Sequence, residues 1–170
     1  MYEDRIKKAV ENFKQGFNCS QSVFLAFADL YGMDRETALR VSSSFGGGIG
    51  RMRTICGAAS GMFMLAGMET GATDPADRAG KGENYRVVQE LAKEFIKRNG
   101  SMICGELLGL RDKSDALVSI MDNYKPEART ENYYKKRPCA QMVEEGARIF
   151  AEFLEKTRSG KEPIQAGSPE

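Results

Sequence analysis

The sequence predicts an all-α fold: a compact bundle of five or six helices around a central apolar helix at about residues 55–68. Three observations carry the prediction. Apolar residues recur at spacings of three and four, which lines them along one side of a helix. The segments so marked are bounded by Asn, Asp or Thr at the start and Gly at the end, the residues that cap helices. No segment reads convincingly as a strand.

Residues 3–15 carry Ile6, Val10 and Phe13 as one apolar stripe, and Gly16 ends the helix. Asn18 caps a second helix from Cys19 to Tyr31, stopped by Gly32; Val23, Leu25, Phe27 and Leu30 suggest burial on more than one side. Asp34 caps a third, with Ala38, Leu39 and Val41 inward, ending near Phe45. The loop FGGGIGRMRT follows, and its four glycines in five positions preclude a stable helix. Thr54 is then expected to cap the central helix from Ile55 to Met68. That segment is small or apolar all round, so neighbours should cover most of its sides, with Met62, Met64 and Met68 in the core.

Residues 71–84 read as a polar linker, and a helix from Tyr85 to Arg98 places Val87, Val88, Leu91, Phe95 and Ile96 inside. A helical turn is expected at Cys104–Leu108, a short helix at Asp115–Asp122 and an extended surface loop at Tyr124–Arg137. Pro138 suits the first turn of a last helix, to about Lys156, with Val143, Ala147, Phe150 and Leu154 inward. Residues 1–157 thus form a single domain, and residues 158–170 are expected to be a mobile tail.

Composition bounds the function. A chain of 170 residues can bury about 70% of its unfolded surface, so it needs no disulfide staple. Its 25 basic and 24 acidic residues leave a net charge of +1, which argues against a nucleic-acid footprint and against a polybasic membrane anchor. The longest apolar stretch is far short of the ~20 residues that span a bilayer. The N-terminus is charged from residue 3, unlike a signal peptide. A cytoplasmic setting is therefore expected, where thiols stay reduced and four cysteines are ligands or redox groups rather than staples. The chain has no histidine, so Ser-His-Asp and Cys-His catalysis within it are excluded.

The chemistry is expected at Cys19, Cys56, Cys104 and Cys139. Each stands at or near a predicted helix start, where free N–H groups and the helix dipole favour a thiolate. Arg51 and Arg53 precede Cys56, and Lys135, Lys136 and Arg137 precede Cys139, adding positive charge. The spacings of 37, 48 and 35 residues are not the paired Cys-x-x-Cys of a zinc ribbon or ferredoxin, so any shared site is left to the tertiary fold. Buried, inert cysteines are the alternative. Gly46, Gly47, Gly48 and Gly50, with Arg51 and Arg53, form the candidate cofactor- or anion-binding loop. It is no P-loop, because no GK[ST] follows, and no strand precedes it as a dinucleotide fingerprint needs. The run Tyr133–Arg137 could touch an acidic partner.

Several motifs stand in register: Asn18-Cys19-Ser20-Gln21-Ser22-Val23, Phe45-Gly46-Gly47-Gly48-Ile49-Gly50, Cys56-Gly57-Ala58-Ala59-Ser60-Gly61, Cys104-Gly105-Glu106-Leu107-Leu108-Gly109 and Pro138-Cys139. Over about residues 5–155 the chain resembles the bacterial and archaeal C_GCAxxG_C_C family, redox-active proteins named for four cysteines. The resemblance implies a compact helical redox or electron-transfer protein. In it Cys19, Cys56, Cys104 and Cys139 would meet at one site, as iron–sulfur ligands or as a dithiol–disulfide system, and would serve a redox partner protein. A tetrahedral zinc site on the same four residues is the alternative. The domain is also similar to part of the split-Soret cytochromes, which carry haem. Without histidine or Cys-x-x-Cys-His, no haem function carries over. On the cluster or the dithiol reading, Cys56→Ser is expected to abolish the cluster or redox behaviour while leaving most helix content. The apolar central helix leaves room for a homodimer.

Overall fold

The computed structural model describes residues 1–110 and 124–159. The helix expected at 115–122 lies outside them, as does the tail beyond Ser159. Within them the fold is all-α. The helices are α1 (Glu3–Lys14), α2 (Cys19–Leu25), α3 (Arg35–Ser43), α4 (Gly57–Thr70), α5 (Arg78–Asn99), α6 (Cys104–Leu107), α7 (Glu131–Lys136) and α8 (Cys139–Arg158), with a 3-10 turn at Ala28–Tyr31. No helix among the described residues is long and apolar enough to cross a membrane.

Helix α4 is the centre, as its composition requires. It packs against α2, α5 and α8, and Ala58, Ala59, Met62, Leu65 and Ala66 are fully buried. Close approach rests on glycine: a Cβ on Gly61 would stand 2.9 Å from the Ser20 carbonyl, and one on Gly146 of α8 would stand 3.0 Å from that of Ala58. The apolar character of α4 is thereby accounted for within one chain. Around it Phe13, Phe24, Phe27, Phe95 and Phe150 are fully buried, and Phe27 meets Phe150 edge-on with centroids 5.2 Å apart.

Several boundaries differ from expectation, each for a local reason. The second helix ends at Leu25, and the buried residues Phe24–Ala28 carry the chain into the 3-10 turn at Ala28–Tyr31. Thr54 does not cap α4. Its hydroxyl donates to the Gly48 carbonyl at 2.8 Å, and residues 54–56 are held extended against 102–104 by an antiparallel bridge between Ile55 and Ile103. Cys56 is the cap residue instead. Helix α5 starts seven residues earlier than expected, because the Asp77 carboxylate accepts the Gly80 N–H at 2.8 Å. Its first turns are exposed and so carried no apolar period to read. The expected loop at 124–137 contains α7, capped by Thr130. Pro138 is the cap of α8 rather than part of its first turn. Val41, Met68 and Ile96 were expected inside and are 47%, 41% and 39% exposed.

The turn after α2 is tied to α1 by a fork. Arg5 donates to both oxygens of Asp29, at 2.6 and 3.0 Å, and to the Ala26 carbonyl at 2.8 Å. Arg5 holds the Asp29 carboxyl below its ordinary value. A depressed carboxylate stabilises the fold above its unfolded pKa and ceases to as pH falls through the folded one. Asp29→Asn is therefore expected to lower stability at pH 7 by under ~1 kcal/mol, since the carboxylate is half-exposed and screened. Urea titrations of the two proteins should converge as pH falls through the lowered carboxyl pKa.

Candidate functional site

The four cysteines come from four separate N-terminal ends, and the local sequence brings those ends together. Asn18 and Gln21 close a reciprocal capping box at the start of α2. The same two side chains reach α3, Asn18 Nδ2 donating to the Ser43 carbonyl at 2.9 Å and Gln21 Nε2 to that of Leu39 at 3.1 Å. Cys19 is thus fixed against the end of α3, where the glycine loop begins. The short bridge sets the next two cysteines side by side: the Cys56 N–H donates to the Met102 carbonyl at 2.8 Å, and the Cys104 N–H to that of Thr54 at 2.6 Å. Helix α8 brings Cys139 in through its contacts with α2 and α4.

The glycine loop is a left-handed turn. Gly47, Gly48, Ile49, Gly50 and Arg51 have φ of 65°, 72°, 61°, 56° and 66°, and Arg53 has 57°. L-residues seldom adopt this conformation in succession. The N–H groups of Ile49 to Thr54 all donate to carbonyls between Ser44 and Ile49, at 2.7–3.3 Å, so they are spent within the loop rather than offered to an anion. Gly48 passes so close to Cys104 that a Cβ would stand 2.6 Å from the Cys104 Cβ.

Cys19, Cys56, Cys104 and Cys139 all line one cavity of about 50 Å³. Cys56, Cys104 and Cys139 are 5–8% exposed, Cys19 is half-buried, and all four are free thiols. Of the loop residues, Gly47 and Arg53 reach the cavity wall. Gly46 lies over the Asn18 side chain, Gly48 backs Cys104 and Gly50 faces open space. Arg51 stands 3.8 Å from Glu127. These four are off the wall, where the loop's curvature puts them.

Burial changes the expected ionisation. Desolvation pushes the Cys56 thiol up to about 12, outweighing the Ala59 and Ala58 N–H groups at its helix start. Desolvation also raises Cys104, although Arg53 Nη1 lies 3.7 Å from its sulfur and opposes the shift. Cys19 and Cys139 form a pair. Their mutual interaction, with burial, raises Cys19 well above its ordinary value, and the same interaction lowers Cys139. Arg137, Arg129 and Arg53 pull Cys139 further down, and it settles at about 7. The expectation of four thiolates therefore becomes one thiolate and three thiols near neutrality. Low dielectric penalises three adjacent negative charges more than helix dipoles reward them.

That balance bears on metal. Thiolates suit zinc or iron, yet among the described residues no group of three or more Cys, Asp or Glu side chains is spaced to hold a metal ion. A space of about 50 Å³ holds only a few water-sized groups. The four cysteines thus share one cavity without standing at metal-ligand spacing.

Sequence reasoning missed Arg129, read Tyr133 as part of a surface run, and took Arg137 both as part of that run and as a basic neighbour of Cys139. All three line the cavity. Arg129 donates to the Phe17 carbonyl at 3.1 Å, 112 residues away, and stacks between Phe13 and Tyr133 at 4.5 and 4.7 Å. No periodic signal marked it, because its partners are set by tertiary contact.

A family model described as "Putative redox-active protein (C_GCAxxG_C_C)" matches residues 17–153. No curated protein and no solved structure gave a match.

Proposed function

Because the chain belongs to the C_GCAxxG_C_C family of redox-active proteins, we propose that it is a thiol redox protein cycling between a Cys19/Cys139 dithiol and a disulfide. The observation that carries this reading is that Cys19 and Cys139 line one arginine-walled cavity, in which Cys139 alone of the four cysteines has a lowered pKa. Cys139 is the attacking sulfur, since thiolate is the nucleophilic form and it is the one cysteine whose pKa is lowered. Cys19, poised against it and held as a thiol, is the resolving sulfur. Oxidation removes two electrons and two protons from the pair and forms one S–S bond of about 2.05 Å. Reduction returns them from a dithiol reductant or redox partner protein. Cys56 and Cys104 shape the apolar floor and stay protonated.

The reading is tested by oxidising the reduced protein with diamide, alkylating after denaturation and mapping the peptides. A Cys19–Cys139 linked peptide is expected, with Cys56 and Cys104 alkylated. Four free thiols after oxidation, or stoichiometric iron, sulfide or zinc in anaerobically purified protein, would overturn it. The pH dependence follows from the lowered pKa. Iodoacetamide labelling of Cys139 should rise through about pH 7 and level off above it, because the reactive thiolate is populated as pH rises. Cys56 should remain unlabelled until the chain unfolds.

A further inference from the structure

Among the described residues the cavity carries more positive charge than its lining answers, and that charge points to the substrate. No Asp or Glu among the described residues lines it. Arg137 is paired with Glu127. Arg53 meets the Cys104 sulfur and has no ion pair with any described carboxylate. Arg129 has none either; its Nη1 is buried without a hydrogen-bond partner. A half-buried guanidinium with one buried donor left open is costly unless an anion completes it. The remaining wall is soft and apolar, built from Leu107, Leu108, Met142 and the face of Tyr133. The space of about 50 Å³ admits only a few non-hydrogen atoms.

We propose, on the basis of the dithiol reading above, that this cavity binds a small inorganic anion with a transferable sulfur, of the thiosulfate class, between Arg53 and Arg129. A cationic wall selects the oxyanion, the small volume favours it over larger organic disulfides, and the neighbouring thiolate supplies the chemistry. The Cys139 thiolate attacks the outer sulfur. An S–S bond to Cys139 forms, the S–S bond of thiosulfate breaks, and sulfite leaves with the electron pair. The product is a Cys139 persulfide anion. Cys19 then attacks the Cys139 sulfur, its thiol proton passing to the departing sulfur. Hydrosulfide leaves and the Cys19–Cys139 disulfide remains. The two cysteines are oxidised by two electrons, and the outer sulfur is reduced to hydrosulfide.

The experiment mixes reduced full-length protein with thiosulfate under anaerobic conditions and follows sulfite, hydrosulfide and protein mass. One sulfite per chain is expected, with hydrosulfide and the disulfide in the parent protein. In Cys19→Ala the sequence should stop at a protein heavier by one sulfur atom, located on Cys139. Arg53→Gln and Arg129→Gln should each raise the thiosulfate concentration for half-maximal rate about tenfold or more, the worth of one charged hydrogen bond. Selectivity for thiosulfate over the uncharged disulfide of 2-mercaptoethanol should fall by a similar factor, and Arg129→Lys should recover part of it. No sulfite from a protein that diamide still converts to the Cys19–Cys139 disulfide would overturn the substrate class while leaving the dithiol reading intact. Failure of both reactions would overturn the dithiol reading itself. Equal losses for the charged and uncharged substrates would show that the arginines act on the fold, and would overturn the anion site.

Discussion

Cys139→Ser is expected to abolish disulfide formation and to slow oxidation by at least about a hundredfold. The magnitude follows from the two thiols that can be compared directly. With its pKa at about 12, Cys56 is a thiolate at pH 7 in only about one molecule in 10⁵. Cys139, at about 7, is roughly half ionised. A more basic thiolate is the better nucleophile, with a Brønsted slope of about 0.45, which returns roughly two hundredfold to Cys56 over five pKa units. The net advantage of Cys139 is still about 10²–10³. Cys19 does not fill the gap: freed from its partner it regains some reactivity, but serine offers it no sulfur. The weight placed on Cys56 by sequence reasoning thus moves to Cys139. Cys56→Ser should keep most of the oxidation rate, whereas Cys139→Ser should lose it with little change in melting temperature. Quenched-alkylation kinetics on both variants decide the matter; a Cys139→Ser protein that still closes a disulfide at the parent rate would refute the assignment.

Gly48→Ala is expected to cost about 3 kcal/mol. Two penalties add. A Cβ at φ 72° is strained by roughly 1–2 kcal/mol. It would also stand 2.6 Å from the Cys104 Cβ, 2.7 Å from the Thr54 nitrogen and 2.8 Å from the Arg53 Cα, an overpacking that costs about 1–3 kcal/mol more. Two of those neighbours are backbone and cannot swing aside. For a chain of this length the loss corresponds to a fall in melting temperature of roughly 6–12 °C. The clash also pushes on Cys104 and on the Arg53 backbone that carries the guanidinium at the cavity wall, so oxidation kinetics should change with stability. Gly50→Ala is the control. Its φ of 56° carries the same backbone penalty, but nothing lies within 4 Å of its Cβ, so it should cost only about 1–2 kcal/mol. Equal melting temperatures for the two variants would show that the loop yields more easily than its packing implies.

The parts of the fold legible in the sequence were those set by neighbours in the chain. Asn18 before Cys19, Asp34 before Arg35 and Gly32 after Tyr31 mark helix ends because capping acts over three or four residues. The apolar stripe of α8 was readable because Val143, Ala147, Phe150 and Leu154 share one face. Misplaced boundaries came where a distant segment intervened. Thr54 has the chemistry of a cap, but residues 102–104 claim its backbone and the Gly48 carbonyl claims its hydroxyl. The first turns of α5 and the whole of α7 lacked a buried face, so they left no period. In the site, the cysteines and Arg53 were readable from motif and neighbours. Arg129 was not, since it reaches the cavity by packing on Phe13 and bonding Phe17.

By itself, the sequence determined the helical class, the placing of each cysteine at or near a helix start, the glycines that let a left-handed turn form, and the family. Only the tertiary structure decided which sulfur is ionised. Helix-start position acts through a few N–H groups within one turn and is nearly alike for the four cysteines. What separates them is how deeply each is desolvated, how Cys19 and Cys139 interact, and where the guanidinium groups of Arg53, Arg129 and Arg137 come to rest. Those are through-space quantities, fixed only when segments more than a hundred residues apart pack together.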